Sequence, residues 1–407
     1  MLTKFLKRFN LPQNQLDELK ELYLSMSLRS LAMSMSGIFI PIFLFHLNYK
    51  IWQILFYFFC VFITQYIFAI PAAKTVGKIG PKHTILISYL LQTVTMLGLV
   101  FLKTFSFFFM PSAILLGIAN VCFFTSYHID FSKVKHQNTG GSELGLAYIS
   151  ERFGAFIGPI LGGLIAFVFA PKYIFIFSIV ILLLAAVPLF STKEPTRLNQ
   201  ELHYGDFNLA SVKQNIAAYS FFTVETATSM IIWPMFLGIF ILGSSPYLKL
   251  GGILSASIMI SFVAAKFYGK LIDNSHGRNV LRFGATLNAA LHIVRVFVGG
   301  FFSALIINFV NEVVTPAYRM AVFKGMYSQA DSFPGHRIVY ISIMEVFSSL
   351  SRAIFFGVTC IAAYYFQAGK AFFAVLFTIG AISSLLIMLE KYEILKSTKL
   401  KLWPLKN

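Results

Sequence analysis

The sequence runs to 407 residues, of which 57% are hydrophobic and only 12% charged, with a formal net charge of +17. Soluble proteins carry roughly 25% charged residues, so a soluble fold is excluded, and apolar runs of about 20 residues, the length that spans ~30 Å of hydrocarbon, recur along the whole chain. The charge calls for no nucleic-acid partner, because basic residues of a membrane protein collect in its cytoplasmic loops against an anionic leaflet.

The first 25 residues mix Lys4, Lys7, Arg8, Asp17, Glu18 and Glu21 with Leu and Phe. Lacking a short apolar core followed by a cleavage site, they predict an amphipathic lead-in helix and no signal peptide. Apolar stretches then predict spans at 26–47, 51–73, 84–102, 105–129, 144–170, 172–190, 214–242, 248–272, 280–299, 301–323, 337–366 and 370–390. Their length, without strict alternation, predicts helices rather than barrel strands. The expected fold is an all-α membrane protein of about twelve transmembrane helices. The longest polar interruption, 191–213, predicts a cytoplasmic linker between bundles at 26–190 and 214–390, and 391–407 reads as a basic cytoplasmic tail. Outside loops then hold Lys50, Lys103, Lys172, Lys249 and Lys370 while most other Lys and Arg fall inside, which predicts N-in and C-in. Cys60, Cys122 and Cys360 lie within apolar runs without metal or disulfide spacing and read as packing residues.

The halves resemble each other. Ser36 to Leu44 aligns with Ser229 to Leu237 at an offset of 193, bringing Pro41 onto Pro234. Asn120, Tyr127 and Lys133 meet Asn311, Tyr318 and Lys324 at offset 191, and Tyr148 to Ser150 meets Tyr340 to Ser342 at offset 192. Offsets this close to one another predict a six-plus-six duplication.

Two short basic turns occupy equivalent places: one from Ala73 to Lys82 with Gly77, Lys78 and Gly80, and one from Gly269 to Arg278 with Asp273 and Gly277. They resemble the loop signature of the major facilitator superfamily, Gly-xxx-Asp-Arg-x-Gly-Arg-Arg. The second copy keeps Gly269, Asp273, Gly277 and Arg278 with one inserted residue, whereas the first has Ala73 and Gly77 in the leading-glycine and acid slots. The predicted fifth span carries Gly145, Gly154, Gly158, Pro159, Gly162 and Gly163. That spacing is similar to the family's fifth-helix motif, most familiar from proton-coupled exporters, and reads equally as a helix-packing face. The resemblance implies two six-helix bundles around a midplane cavity and alternating access by rocking of one bundle against the other. The fourth-helix arginine of many members is absent, since 115–120 carries no charge.

Ionisable residues within spans cost at least ~2.5–3.5 kcal/mol each on insertion scales and are functional candidates. The resemblance places spans one, four, seven and ten around the cavity, which singles out Glu225 and Glu312 as proton-coupling or cation-binding carboxylates; the alternative is a buried ion pair with Arg29 or another arginine. Glu345 and Arg352, seven apart, and Glu151 with Arg152 in the equivalent fifth span, read as buried ion pairs or a gate. His292 and Arg295, on span nine, are expected to snorkel or pair. Asn120, Tyr127 and His128 with Asn308, Asn311 and Tyr318 read either as hydrogen-bonding substrate contacts or as interhelical glue.

No metal cluster, cofactor motif, HExxH, Gly-x-Ser-x-Gly or Walker loop is present, so neither an enzyme nor an ATP-driven pump is expected. The leading expectation is a secondary active transporter of a small organic solute, a monomer in the bilayer, coupled to protons and, from the fifth-span motif, an exporter of amphipathic compounds. Alternatives are uptake of a sugar, peptide or organic ion, and a non-transporting protein on the same fold.

Overall fold

A computed structural model of the chain describes residues 13–134, 140–190 and 198–396, with side chains described for 20–132, 148–190 and 198–396. The described residues form helices and no strands. Among the described residues, eleven helical stretches are long and apolar enough to cross a membrane. They are α1 (Lys20–His46), α2 (Ile51–Ile79), α3 (Pro81–Phe101), α4 (Ser106–Ser132), α5 (Tyr148–Val168), α6 (Pro171–Phe190), α7 (Leu209–Ile241), the 50-residue run Pro246–Arg295, α10 (Phe301–Asp331), α11 (Arg337–Tyr365) and α12 (Lys370–Leu389). The 50-residue run is broken at Ile272–His276, where Asn274 and Ser275 leave helical geometry, Ser275 at φ +63°. It is therefore two helices, α8 (Pro246–Leu271) and α9 (Gly277–Arg295).

Several ends differ from the sequence expectation. Helix runs unbroken from Gln13 to Ser36, so from residue 13 onward the lead-in segment and the first span are one element, with Glu21 and Ser25 buried. α10 extends eight residues beyond the expected 323 to Asp331. Residues 1–12, 191–197 and the tail 397–407 lie outside the described residues.

Prolines punctuate α1 and α7 at equivalent places. A 3₁₀ turn at Gly37–Phe39 precedes Pro41, and a π turn at Thr228–Ile232 precedes Pro234. Proline lacks an N–H and clashes with the preceding turn, so the regular ladder is interrupted there. α3, α6 and α8 start with proline at the first turn, where no donor is lost. Ahead of α3, Gly80 takes φ +91°, which a side chain would resist.

The packing repeats six helices later. α1 lies against α5 and α6, α2 against α4, and α3 against α4 and α6; correspondingly α7 lies against α11 and α12, α8 against α10, and α9 against α10 and α12. The two sets meet where α5 crosses α8 and α2 crosses α11. With lipid on the outside, no hydrophobic gain drives helices together, and close packing has to do so. The fifth-helix glycines serve that packing. A Cβ at Gly154 would lie 2.1 Å from Ser27 O and one at Gly158 2.0 Å from Ser34 Oγ, both on α1, while Gly163 faces Tyr247 O of α8 at 2.7 Å. From the other side, a Cβ at Gly251 would lie 2.2 Å from the Pro159 carbonyl, and Ser255 Oγ accepts the Ile160 N–H at 3.0 Å. Gly145 falls in the same helix, among residues whose side chains are not described.

Each set is closed at one end by the chain that follows it. Asn199 and Gln200 donate backbone hydrogen bonds to the carbonyls of Lys78 and Gly77, at 3.3 and 2.9 Å. After α12, Arg278 grips Glu390 at 2.8 Å and the Tyr392 carbonyl at 3.2 Å, and Tyr392 and Leu395 are buried.

Candidate functional site

The seam between the two sets carries a crosswise pair of ionic contacts. Glu151 and Arg152 are neighbours on α5, so they diverge by about 100° around its axis. Glu312 and Arg319 are two turns apart on α10 and share a face. Arg319 Nη2 donates to both Glu151 oxygens, at 2.9 and 3.0 Å, while Arg152 Nη2 lies 3.4 Å from Glu312 Oε2. Tyr148 joins them, its ring 5.0 Å from the Arg152 guanidinium and 5.4 Å from that of Arg319. The second pair is loosely satisfied, since Glu312 Oε2 and Arg152 Nε are buried without a hydrogen bond.

Beside this clasp lies a cavity of about 40 Å³ whose lining includes Met26, Tyr127, His128, Tyr148, Glu151 and Arg319. It holds on the order of two waters and no organic solute. Contacts close the seam on both sides of it. Towards the linker, His128 Nδ1 meets Tyr327 OH at 2.6 Å and Arg337 donates to the Ser132 carbonyl at 2.6 Å. Towards the opposite face, His46 Nδ1 meets Tyr247 OH at 3.1 Å, and Ile42 fills the space in front of Gly238.

Arg29 stands at the edge of this region, one turn beyond Met26. Its guanidinium carbon sits 3.4 Å from the centroid of Phe123 and 5.3 Å from that of Phe124, and only 6% of the residue is exposed. It pairs with neither Glu225 nor Glu312, since aromatic faces occupy the space around it; the arginine that Glu312 meets is Arg152.

Glu225 is not in the seam. It is the hub of a network enclosed among α7, α9, α10 and α12. Its Oε1 accepts from Ser229 Oγ at 2.8 Å and Asn288 Nδ2 at 2.9 Å, and its Oε2 from Tyr318 OH at 3.0 Å. Arg295 donates to His292 Nδ1 at 2.9 Å. Because arginine cannot accept, Nδ1 is the bare nitrogen, and Nε2–H therefore points at Glu225 Oε1, 3.3 Å away. Arg295 also reaches Ser229 at 3.0 Å and Asn311 Oδ1 at 2.8 Å. Glu225, His292 and Arg295 have no exposed surface, so span nine turns its polar face inward and neither residue snorkels.

The remaining polar candidates divide. Tyr127 and His128 line the cavity. Asn120 instead accepts from Gln92 at 3.5 Å, Asn308 ties Trp233 to the Ala304 carbonyl, and Asn311 and Tyr318 serve the Glu225 network. These amides lie between helices of one half, where satisfying a polar group holds neighbours together. Glu345 and Arg352 do not pair either. Glu345 accepts from Tyr219 OH at 3.2 Å and lies 3.8 Å from His128 Nε2, whereas Arg352 bonds Ser348 and Ser349 and covers the Phe62 ring.

In the turn between α8 and α9, Asp273 binds Lys324 of α10 at 2.7 Å, Gly277 is covered by Leu395, and Gly269 is buried. In the first turn the acid slot is Gly77, whose backbone receives the linker, Lys78 is exposed, and Lys82 is buried on Glu21 at 2.8 Å. Sequence reasoning passed over Asn288, counted Arg319 among the ionisable residues of the spans without giving it a partner, and left His292 and Arg295 peripheral. The spacing of 288, 292 and 295, an i, i+4, i+7 stripe, is the signal that assigns them one buried face. The three cysteines are buried and free.

A family model described as Major Facilitator Superfamily matches residues 22–329. Among solved structures, the E. coli fucose:proton symporter FucP aligns at TM-score 0.67 and 16% identity over 92% of this chain and 98% of its own. The human organic anion transporter MFSD10 aligns at TM-score 0.68 and 11% identity over 93% and 100%. A bacterial homologue of the iron transporter ferroportin, in its outward-facing state, aligns at 0.66 and 14% over 91% and 97%. No curated protein sequence matches. At these identities the likeness is one of fold.

Proposed function

This chain belongs to the major facilitator superfamily, as an integral, multi-pass membrane protein, and we propose that it is a proton-coupled secondary transporter that moves a small organic solute by alternating access. The two bundles are 26–190 and 214–390, joined by the linker 191–213. The chain crosses the bilayer twelve times, with both termini in the cytoplasm. The break at Ser275 supports the count, and the sparse lysines of the opposite loops support the orientation. The seam lies within one chain, so a monomer is the working unit.

The observation that carries the reading is the clasp of Glu151, Arg152, Glu312 and Arg319 across the seam, beside a small cavity. Opening the seam has to part these charges, and a proton on a carboxylate lowers the cost of parting them. Glu312 is the better coupling carboxylate, because its Oε2 lacks a hydrogen bond and faces an arginine of the other bundle. Glu225 is saturated by donors of its own bundle and holds that bundle together. Asp273 with Lys324 latches the linker-side end of the second bundle. Of the fifth-helix glycines, Gly154, Gly158 and Gly162 pack on α1 within the first bundle and Gly163 alone faces α8, so they support helix packing and not export in particular.

The test is flux in proteoliposomes under an imposed pH gradient, over a panel of small organic anions, cations and neutral solutes. Uptake driven by the gradient supports the reading; saturable flux indifferent to it rejects proton coupling.

A further inference from the structure

We infer that the transported solute is an organic anion with an aromatic or other flat apolar body, and that Arg29 is its counter-ion; this rests on the transporter reading above. The argument is a balance of charges in the membrane interior. Arg319 has Glu151, Arg152 has Glu312, and Arg295 sits in the network of Glu225. Arg352 has no direct pair, but Glu345 lies two turns away on the same face of α11, so that helix carries one charge of each sign. His128 has its Nδ1 on Tyr327 and its Nε2 3.8 Å from Glu345, and Asp130, in the last turn of α4, is already engaged.

Arg29 is the cation left over. Among the described residues it has no hydrogen bond and no carboxylate within 4.0 Å, its buried Nε is unpartnered, and its charge is met only at longer range by Glu151, which Arg319 already holds. A guanidinium with no direct ionic partner is costly within a bilayer, and a charge kept there is a place for a ligand of opposite sign. The surroundings supply the rest of the recognition. Phe123 and Phe124 put aromatic rings against the guanidinium, and Phe124, Met26, Tyr127 and Tyr148 line the adjoining cavity. A planar cation on aromatic walls fits a carboxylate or sulfonate, through paired N–H donors, attached to a ring that stacks beside it. The cavity, about 40 Å³, is too small for such a solute, which therefore enters when the bundles part and Arg319 leaves Glu151.

Purified protein is tested with benzoate and benzenesulfonate against two compounds of similar body, neutral benzamide and cationic benzyltrimethylammonium, reading binding by quenching of intrinsic fluorescence and transport by proteoliposome flux. The wild type is expected to bind and carry the anions at least tenfold better than the other two. Arg29→Gln loses that preference at unchanged melting temperature, and Arg29→Lys keeps the preference at reduced affinity. Equal handling of all four compounds, transport of only the neutral or cationic ones, binding of none, or an anion preference that survives Arg29→Gln would each overturn the inference. Flux of the cation or neutral compound alone removes the anion inference and leaves the transporter reading intact. Arg29-dependent anion binding without flux does the reverse.

Discussion

Arg152 on the fifth helix and Glu312 on the tenth lie 3.4 Å apart across the seam between the two sets of helices, and the residue beside Arg152 on its own helix, Glu151, answers Arg319 two turns further along the tenth. Two helices from different halves thus exchange both charges, and any rocking motion has to break both contacts.

Exchanging the charges of the tighter pair tests whether the pairing itself matters. Glu151→Arg and Arg319→Glu are each expected to lower transport at least tenfold, and the double exchange to recover most of it, a coupling of about 1–3 kcal/mol. Flux per folded molecule for the four proteins of the cycle checks this.

Glu225 is expected to matter for stability before flux. Glu225→Ala leaves Arg295, His292, Asn288 and Tyr318 facing an empty acceptor site, a loss of about 3–5 kcal/mol. Glu225→Gln keeps an acceptor and loses less. Melting in detergent orders the three as wild type, Gln, Ala, while the Gln variant's remaining flux still responds to a pH gradient.

Adjacent glycines on α8 give a contrast in packing. Gly251→Ala pushes a methyl into the Pro159 carbonyl, whereas a Cβ at Gly252 meets nothing within 4 Å. Gly251→Ala is expected to cost about 1–3 kcal/mol and lower the melting temperature by several degrees; Gly252→Ala leaves it unchanged.

Topology is open to labelling, because Cys60, Cys122 and Cys360 are buried and give little background. A cysteine at exposed Asp206 in the linker is expected to react with an impermeant maleimide only from the cytoplasmic side, and one at exposed Lys103 only from the outside.

The spans and the repeat were legible because the bilayer dictates both the length of an apolar run and the place of a helix break; Pro41 and Pro234 mark the interruptions in α1 and α7 by residue type alone. The partners of the charges were not. Glu345 and Arg352 share a face of one helix, yet Glu345 reaches Tyr219 on α7 and Arg352 reaches the Phe62 ring on α2, since neighbouring helices come nearer than two turns of the same one. Asn311 and Tyr318, left open between substrate contacts and interhelical glue, turn to Arg295 and Glu225. Sequence periodicity assigns a residue to a face, but which helix covers that face depends on crossings between segments far apart in the chain, and so Glu151 with Arg319 emerges only in three dimensions.

The most direct test of the account is net uptake and solute exchange in proteoliposomes, wild type beside Glu312→Gln, with and without an imposed pH gradient. A neutral amide at 312 mimics a carboxyl that is permanently protonated. The account predicts that Glu312→Gln loses gradient-driven accumulation while keeping exchange of solute down its own gradient. Gradient-driven accumulation that persists at the wild-type level in a correctly folded Glu312→Gln protein would contradict it.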